Sequence, residues 1–203
     1  MKVDLNRIRA ALAGRAHVPA PLEGGERFAA VAAVLRERNG EAEVLLIRRA
    51  ELEGDPWSGH MAFPGGRSSP NDDDLLHTAI RETEEEIGLR LARDRDLVGR
   101  LDDLPAIARG KPVGLVIAPF VFAVHDESDV PLVLNEREVR EALWTPITPL
   151  LRGERNTTFP YRHDHGELAL PAYDVDGRIV WGLTYRMLAE LFEVLDGAPR
   201  ARY

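Results

Sequence analysis

The chain has 203 residues, 44% hydrophobic and 30% charged, with a formal net charge of −8 and no cysteine. That length carries a real hydrophobic core, and the acidic balance argues against a general nucleic-acid binder, which is normally basic. Without cysteine, disulfides and thiolate metal sites are excluded, so any metal is held by carboxylates, histidines or carbonyls.

The first stretch, MKVDLNRIRAALAGRAH, mixes both charges and lacks an apolar signal core. Export is therefore not expected, and the expected compartment is the cytoplasm. No run approaches the roughly 18 apolar residues of a membrane span, so no membrane partner is expected. Residues 4–13 carry apolar side chains at Leu5, Ile8, Ala11 and Leu12, which is helical spacing, with Asp4 as N-cap. A Pro/Gly connector follows over 17–26. RFAAVAAVLRE and AEVLLIRRA then read as two strands around the hairpin turn RNGE. Residues 50–59 form a polar loop, and HMAFPGG is a short strand running into a glycine turn. A helix is predicted from about Asp73 to Ile87, stopped by Gly88. DLVGRLDDL and GLVIAPFVFAV are predicted strands, the second apolar on both faces and therefore central. A loop then leads to a strand ending near Trp144, and TPLLRG makes a helical turn. Residues 158–183 read as strands around turns. TYRMLAELFEVLDG is an amphipathic helix with Met187, Leu188, Leu191, Phe192 and Leu195 on one side. The tail, residues 197–203, is expected to fray. The sum is one mixed α+β layered domain, with residues 1–25 as a helix and connector before a core over 26–196.

The helix over 73–87 raises a physical question. At about 100° per residue, Glu82, Glu85 and Glu86 share a face, while Glu84 points away. Leu76, Ala79, Ile80, Thr83 and Ile87 lie on another side and can pack. Arg81 stands four residues before Glu85 and can pair with it. Three converging carboxylates in the last turns of a helix are disfavoured by mutual repulsion and by the macrodipole. A plain solvated face is one reading of the acids alone. The other is a hard divalent cation, which takes several oxygens. Pro64-Gly65-Gly66 just before the helix favours the second, because glycine lets a carbonyl approach an ion or phosphate closely.

These residues resemble the Nudix box, G-x5-E-x7-R-E-U-x-E-E-x-G-U, where U is a bulky aliphatic residue. Gly66 matches the first glycine; Arg81, Glu82, Glu85, Glu86, Gly88 and Leu89 match the second half in register. Thr83 stands where an aliphatic residue is usual. The box is one residue longer than standard, so the mid-box acid is Asp72 or Asp73. The resemblance implies an α/β/α sandwich with a mixed sheet, and hydrolysis of a nucleoside diphosphate linked to another group. It implies Mg²⁺ or Mn²⁺ held by Glu82, Glu85, Glu86 and the Gly66 carbonyl, with Arg81 orienting Glu85. It makes Glu85, Glu86 and Arg81 catalytic, together with an acid on a distant loop. Glu138 lies where many relatives carry such an acid, with Glu136 and Glu141 as competitors.

The flanking segments EVLLIRRA, GHMAFPGGR and IVWGLTYRML are similar to the coenzyme A pyrophosphatase branch of the family. Leu46, Arg49 and Ala50 fit the start of that branch's upstream signature, and Gly59 and Phe63 to Gly66 fit its end. Its second arginine is missing, with Gly54 or Asp55 near that place. A cation lost there removes a partner for the 3′-phosphate of coenzyme A. The implied substrate is coenzyme A, with NADH, ADP-ribose and other nucleoside diphosphate derivatives as alternatives and a non-catalytic nucleotide sensor as a further one. Arg49, Gly65, Arg67 and Phe63 are the substrate-binding candidates. Alternation allows only one of Arg48 and Arg49 to face the site. Phe63 is more often core than stacking platform, Trp57 and Trp181 read as packing residues, and His60, His163 and His165 are weaker candidates. The oligomeric state is not legible; a homodimer is compatible with the sequence.

Overall fold

Asn39 and Gly40 both have positive φ, 54° and 69°, as a two-residue hairpin turn matched to strand twist requires. They join β1 (Arg27–Arg38) to β2 (Glu41–Arg49) with Arg38 opposite Glu41. The structure is a computed structural model, and it describes residues 2–22, 24–55, 57–108, 111–124, 131–163 and 166–197. Before the hairpin, α1 (Leu5–Leu12) starts at Asp4, whose carboxylate accepts the Arg7 N–H at 2.8 Å.

The sheet is built around β1. β7 (Lys111–Ala123) runs parallel to it from Arg27↔Leu115 to Leu35↔Ala123. Residues 115–123 are buried throughout, as a central strand covered on both faces must be. β2 lies on the other side of β1. It is flanked in turn by β3 (Met61–Ala62) and by β8 (Val139–Pro146). β4 (Gly65–Arg67) pairs with Ala29–Val31 of β1 on the edge opposite β7, the edge that β2 takes further along, and β5 (Leu97–Arg100) and β6 (Leu104–Ala108) pair with β7. One parallel pair among antiparallel ones makes the sheet mixed.

Its two faces bury different helices. α2 (Leu75–Ile87) packs Leu76, Ala79 and Ile87 on Val34, Leu45, Ile47 and Phe122. The opposite face takes Ile8 and Leu12 of α1, and Met187, Leu188, Leu191 and Phe192 of α5 (Gly182–Asp196), against Leu35, Val44 and Leu46. The expected α/β/α layering is present.

Three features depart from the expectation. HMAFPGG forms two strands, because Phe63 and Pro64 interrupt it and β4 crosses from β2's edge to β1. β6 has no counterpart among the predicted elements; it pairs with β7 through a register shift between Pro105 and Ile107, and a bulge is where a strand tolerates proline. The one-turn α3 (Arg93–Asp96) is also new, while α4 (Ile147–Leu151) matches the expected turn. The last strands, β9 (Asn156–His163), β10 (Gly166–Val175) and β11 (Arg178–Trp181), form a separate three-stranded antiparallel sheet. Among the described residues, no helix is long and apolar enough to cross a membrane. Residues 198–203 and His165 lie outside the described residues.

Candidate active site

α2 is fixed at both ends by its own sequence. Asp74 caps it, accepting the His77 N–H at 2.8 Å, and Gly88 ends it with φ 69°, donating its N–H to the Glu84 carbonyl. The helix starts at Leu75, two residues after Asp73, which leaves Asp73 outside it. Thr83, on the aliphatic position of the box, is fully buried. Its hydroxyl donates to the Ala79 carbonyl at 2.7 Å, so the burial leaves no orphan polar group.

The middle of the box resolves in favour of Asp72. Its side chain is 2% exposed, and both oxygens accept from Arg81, at 2.8 Å from Nε and 2.9 Å from Nη2. The Ser69 N–H and the Thr78 hydroxyl add further donors at 2.8 Å. The Arg81 hydrogen bonds, outweighing burial, hold the Asp72 carboxyl well below the usual carboxylate range. Asp73 is 90% exposed. With one end of its fork locked, Arg81 turns Nη1 to Glu82 at 2.9 Å and Glu85 at 3.0 Å. Sequence spacing anticipated the Glu85 contact only. Glu84 points outward and pairs with Arg90.

Glu86 faces inward instead of sharing an open face with Glu85. It is 2% exposed and accepts the Gly65 N–H at 2.8 Å. Burial pushes its carboxyl up to about 8, against the pull of Gly65 and the Arg49 charge. Burial also raises Glu82, partly offset by Arg81. The glycine pair belongs to the same construction. A Cβ on Gly65 would lie 2.3 Å from the Ala30 carbonyl oxygen, so only glycine lets β4 press on β1 there. A Cβ on Gly66 would lie 2.3 Å from Glu82 Oε2, in space the carboxylate occupies.

Residues 26–164 match the NUDIX domain family. The chain belongs to the Nudix family. It is 30% identical over 181 residues to the mitochondrial coenzyme A diphosphatase NUDT8 of Homo sapiens, covering 88% of this chain and 72% of that protein. It is 40% identical over 116 residues to the uncharacterized protein C14C4.10c of Schizosaccharomyces pombe, a match spanning 56% of this chain but only 35% of that protein. A MutT/nudix family protein from Enterococcus faecalis superposes with a TM-score of 0.57 at 18% identity, covering 96% of this chain and 70% of that one. That likeness is one of fold.

In this Nudix hydrolase the other expected residues fall as follows. Arg49 follows a register shift at the end of β2 and bonds Asp55 at 2.9 Å, while exposed Arg48 pairs with Glu51. Asp55, which with Gly54 lies near the place of the missing arginine, thus gives Arg49 an acidic partner. Arg67 is exposed at the end of β4, and its carbonyl accepts from Arg81 at 3.3 Å. Two substrate candidates are corrected. Phe63 is 2% exposed in the α5-side core, so its ring has no open face. Gly65 spends its N–H on Glu86. Glu138 is exposed, and its negative charge acts on both Glu82 and Glu86. Glu141 is taken by Arg178, and Glu136 is exposed. His60 tilts its ring on Trp181 at 4.8 Å, and Trp181 stacks on Phe159 at 4.0 Å. Trp57 packs against the α5-side core. The His163 side chain and His165 lie outside the described residues.

Among the described residues, no three acids or histidines are gathered at coordinating distance of one point. Arg81 lies between Glu82 and Glu85 and holds both. The donors still fit a hard cation: they are carboxylate oxygens, Glu82 packs over Gly66, and buried Glu86 has one N–H and a distant arginine to balance its charge. A cation drawing these oxygens together competes with Arg81 for two of them. Sequence reasoning missed the bond from Arg49 to Asp55 and the residue Asn135. Asn135 lies three residues before Glu138 and bonds to it; an asparagine at that spacing from an acid is a common turn pattern and carries no signal alone.

Proposed function

We propose that this Nudix hydrolase cleaves the diphosphate linkage of coenzyme A or a related nucleoside diphosphate derivative. The observation that carries the reading is the Asp72–Arg81 clamp, which sets Glu82 and Glu85 beside buried Glu86 and the Gly65-Gly66 turn. In this reading Glu82, Glu85, Glu86 and the Gly66 carbonyl hold Mg²⁺ or Mn²⁺. When bound, the ion neutralises phosphate charge, acidifies water and stabilises the departing oxygen. Arg81 positions two of the ligands. Glu138 is the proposed base: its carboxylate takes the proton of the attacking water as the water oxygen bonds to phosphorus and the bridging P–O bond breaks. Arg49 binds phosphate; its Nε is buried without a hydrogen-bond acceptor and so has a donor to give. The coenzyme A assignment is supported by similarity to human NUDT8 over most of the chain.

Asp55 favours a second reading, a substrate without a 3′-phosphate such as NADH or ADP-ribose. It neutralises Arg49 where a second cation would recognise that phosphate. A substrate panel with Mg²⁺ and Mn²⁺ and product identification tests both. Turnover of coenzyme A well above dephospho-coenzyme A supports the first reading. Equal turnover, or preference for NADH or ADP-ribose, supports the second. No hydrolysis of any member would sink the proposal.

A further inference from the structure

The loop before β8 is fastened through its backbone to the end of the acidic helix. A helix leaves its last carbonyls without partners. Here the Val133 N–H donates to the Ile87 carbonyl and the Asn135 N–H to the Glu86 carbonyl, both at 2.9 Å. The chain then turns on Asn135, whose carbonyl accepts the N–H groups of Glu138 at 2.9 Å and Val139 at 2.8 Å. The Glu138 carbonyl in turn accepts the Ala50 N–H at 2.7 Å, one residue beyond Arg49. Glu138 is thus strapped between the C-terminal end of α2 and the end of β2, and its charge acts on Glu82 and Glu86 alike.

The Asn135 side chain works inside this strap. Its Oδ1 accepts the Arg137 N–H at 3.3 Å, an Asx-type turn. Its Nδ2 donates to Glu138 Oε1 at 3.3 Å. Asparagine alone among the short side chains offers an amide acceptor and an amide donor together. Aspartate would keep the turn acceptor but set one carboxylate against another. Alanine would lose both contacts.

We propose that Asn135 is a positioning residue for hydrolysis, aiming the Glu138 carboxylate at the face formed by Glu82 and Glu86. This rests on Glu138 acting as the base. The amide engages Oε1 and leaves Oε2 to receive the water proton. Because Asn135 also holds the Glu86 backbone, the base and the inward box acid are registered against each other by one residue.

The test is a double-mutant cycle of Asn135→Asp and Glu138→Gln in the full chain, assayed with Mg²⁺ on the best panel substrate. Asn135→Asp is expected to keep the turn and melt close to wild type. Its KM stays within about twofold, while kcat falls about tenfold to a hundredfold, the range for one hydrogen bond to a charged group. In the Glu138→Gln background the same change is expected to alter kcat less than about twofold, since an effect transmitted through Glu138 has then lost its target. If Asn135→Asp does not fold, Asn135→Ser, whose hydroxyl can also accept in such a turn, enters the same cycle. The inference is overturned if kcat of the single Asn135 variant matches wild type, or if it drops equally in both backgrounds. Wild-type activity in Glu138→Gln would overturn the base assignment and this role with it, while turnover by the wild type would leave the hydrolase reading standing.

Discussion

Glu86 shows how burial changes what a carboxylate does. Its folded carboxyl is raised from an ordinary 4.5 to about 8. A raised group favours the folded state fully below its unfolded value and loses that contribution as pH climbs through its folded value. Metal-free protein should therefore lose thermal stability between pH 4.5 and 8, and Glu86→Gln should flatten that slope; a pH series of melting curves on the two proteins checks it. Mn²⁺ affinity should rise steeply with pH up to about 8, with about one proton released per ion, read by calorimetry in buffers of different ionisation heat. Asp72 is the opposite case, a buried acid kept charged by Arg81. Removing one partner of such a pair costs about 3–5 kcal/mol. Asp72→Asn should lower the melting temperature by several degrees and reduce kcat by releasing Arg81, whereas Asp73→Asn should leave both near wild type. Equal effects from the two would refute the assignment of the mid-box role to Asp72.

At the scale of elements, α2 was legible because its signals are local. The spacing of Leu76, Ala79, Thr83 and Ile87 set its packed side, and Gly88 its end. The turn that faces it was legible only in outline, since what Gly65 and Gly66 accommodate is contributed by β1 and α2. The two glycines should fail differently. Gly65→Ala places a Cβ against Ala30 backbone, which cannot yield, and should lower thermal stability and soluble yield. Gly66→Ala meets a carboxylate end that can swing. It should fold, melt within a few degrees of wild type and weaken Mn²⁺ binding by about tenfold, on the order of 1.4 kcal/mol. Thermal melts and metal titration on both proteins decide this, and the same loss profile for both would count against it. β6 escaped sequence reading for another reason: a proline at a bulge reads locally as loop. The strands over 158–183 were legible, and only their separation from the main sheet was not.

Over the whole molecule, the N-terminal connector is tied to the C-terminal helix by Arg15. Its guanidinium, 9% exposed, reaches Asp102 at 2.8 Å, Glu190 of α5 at 2.6 Å and the Arg100 carbonyl at 2.9 Å. Glu190 also accepts the Asp102 N–H at 2.8 Å. Burial raises the Glu190 carboxyl despite that N–H and the arginine beside it. Arg15→Ala leaves two acids facing each other without their cation. It should cost about 3 kcal/mol in denaturant unfolding with kcat at low temperature unchanged, because the network lies on the sheet face opposite α2. A loss of kcat without a loss of stability would refute that separation.

What the sequence determined was local: the Asn39-Gly40 hairpin, the helix over about 73–87 with its stop at Gly88, the apolar run on both faces that made β7 central, and the face shared by Glu82 and Glu85. Each follows from residues within a few positions of one another, where propensity, periodicity and capping act. The tertiary structure decided what depends on approach between distant segments. It chose Asp72 over Asp73 because only Asp72 reaches Arg81 inside the fold. It turned Glu86 inward onto the Gly65 N–H, buried Phe63, and gave Arg49 an acidic partner in Asp55. It also brought Asn135 and Glu138 to the end of α2, a juxtaposition that hydrogen bonds across nearly fifty residues of chain create and no local pattern announces.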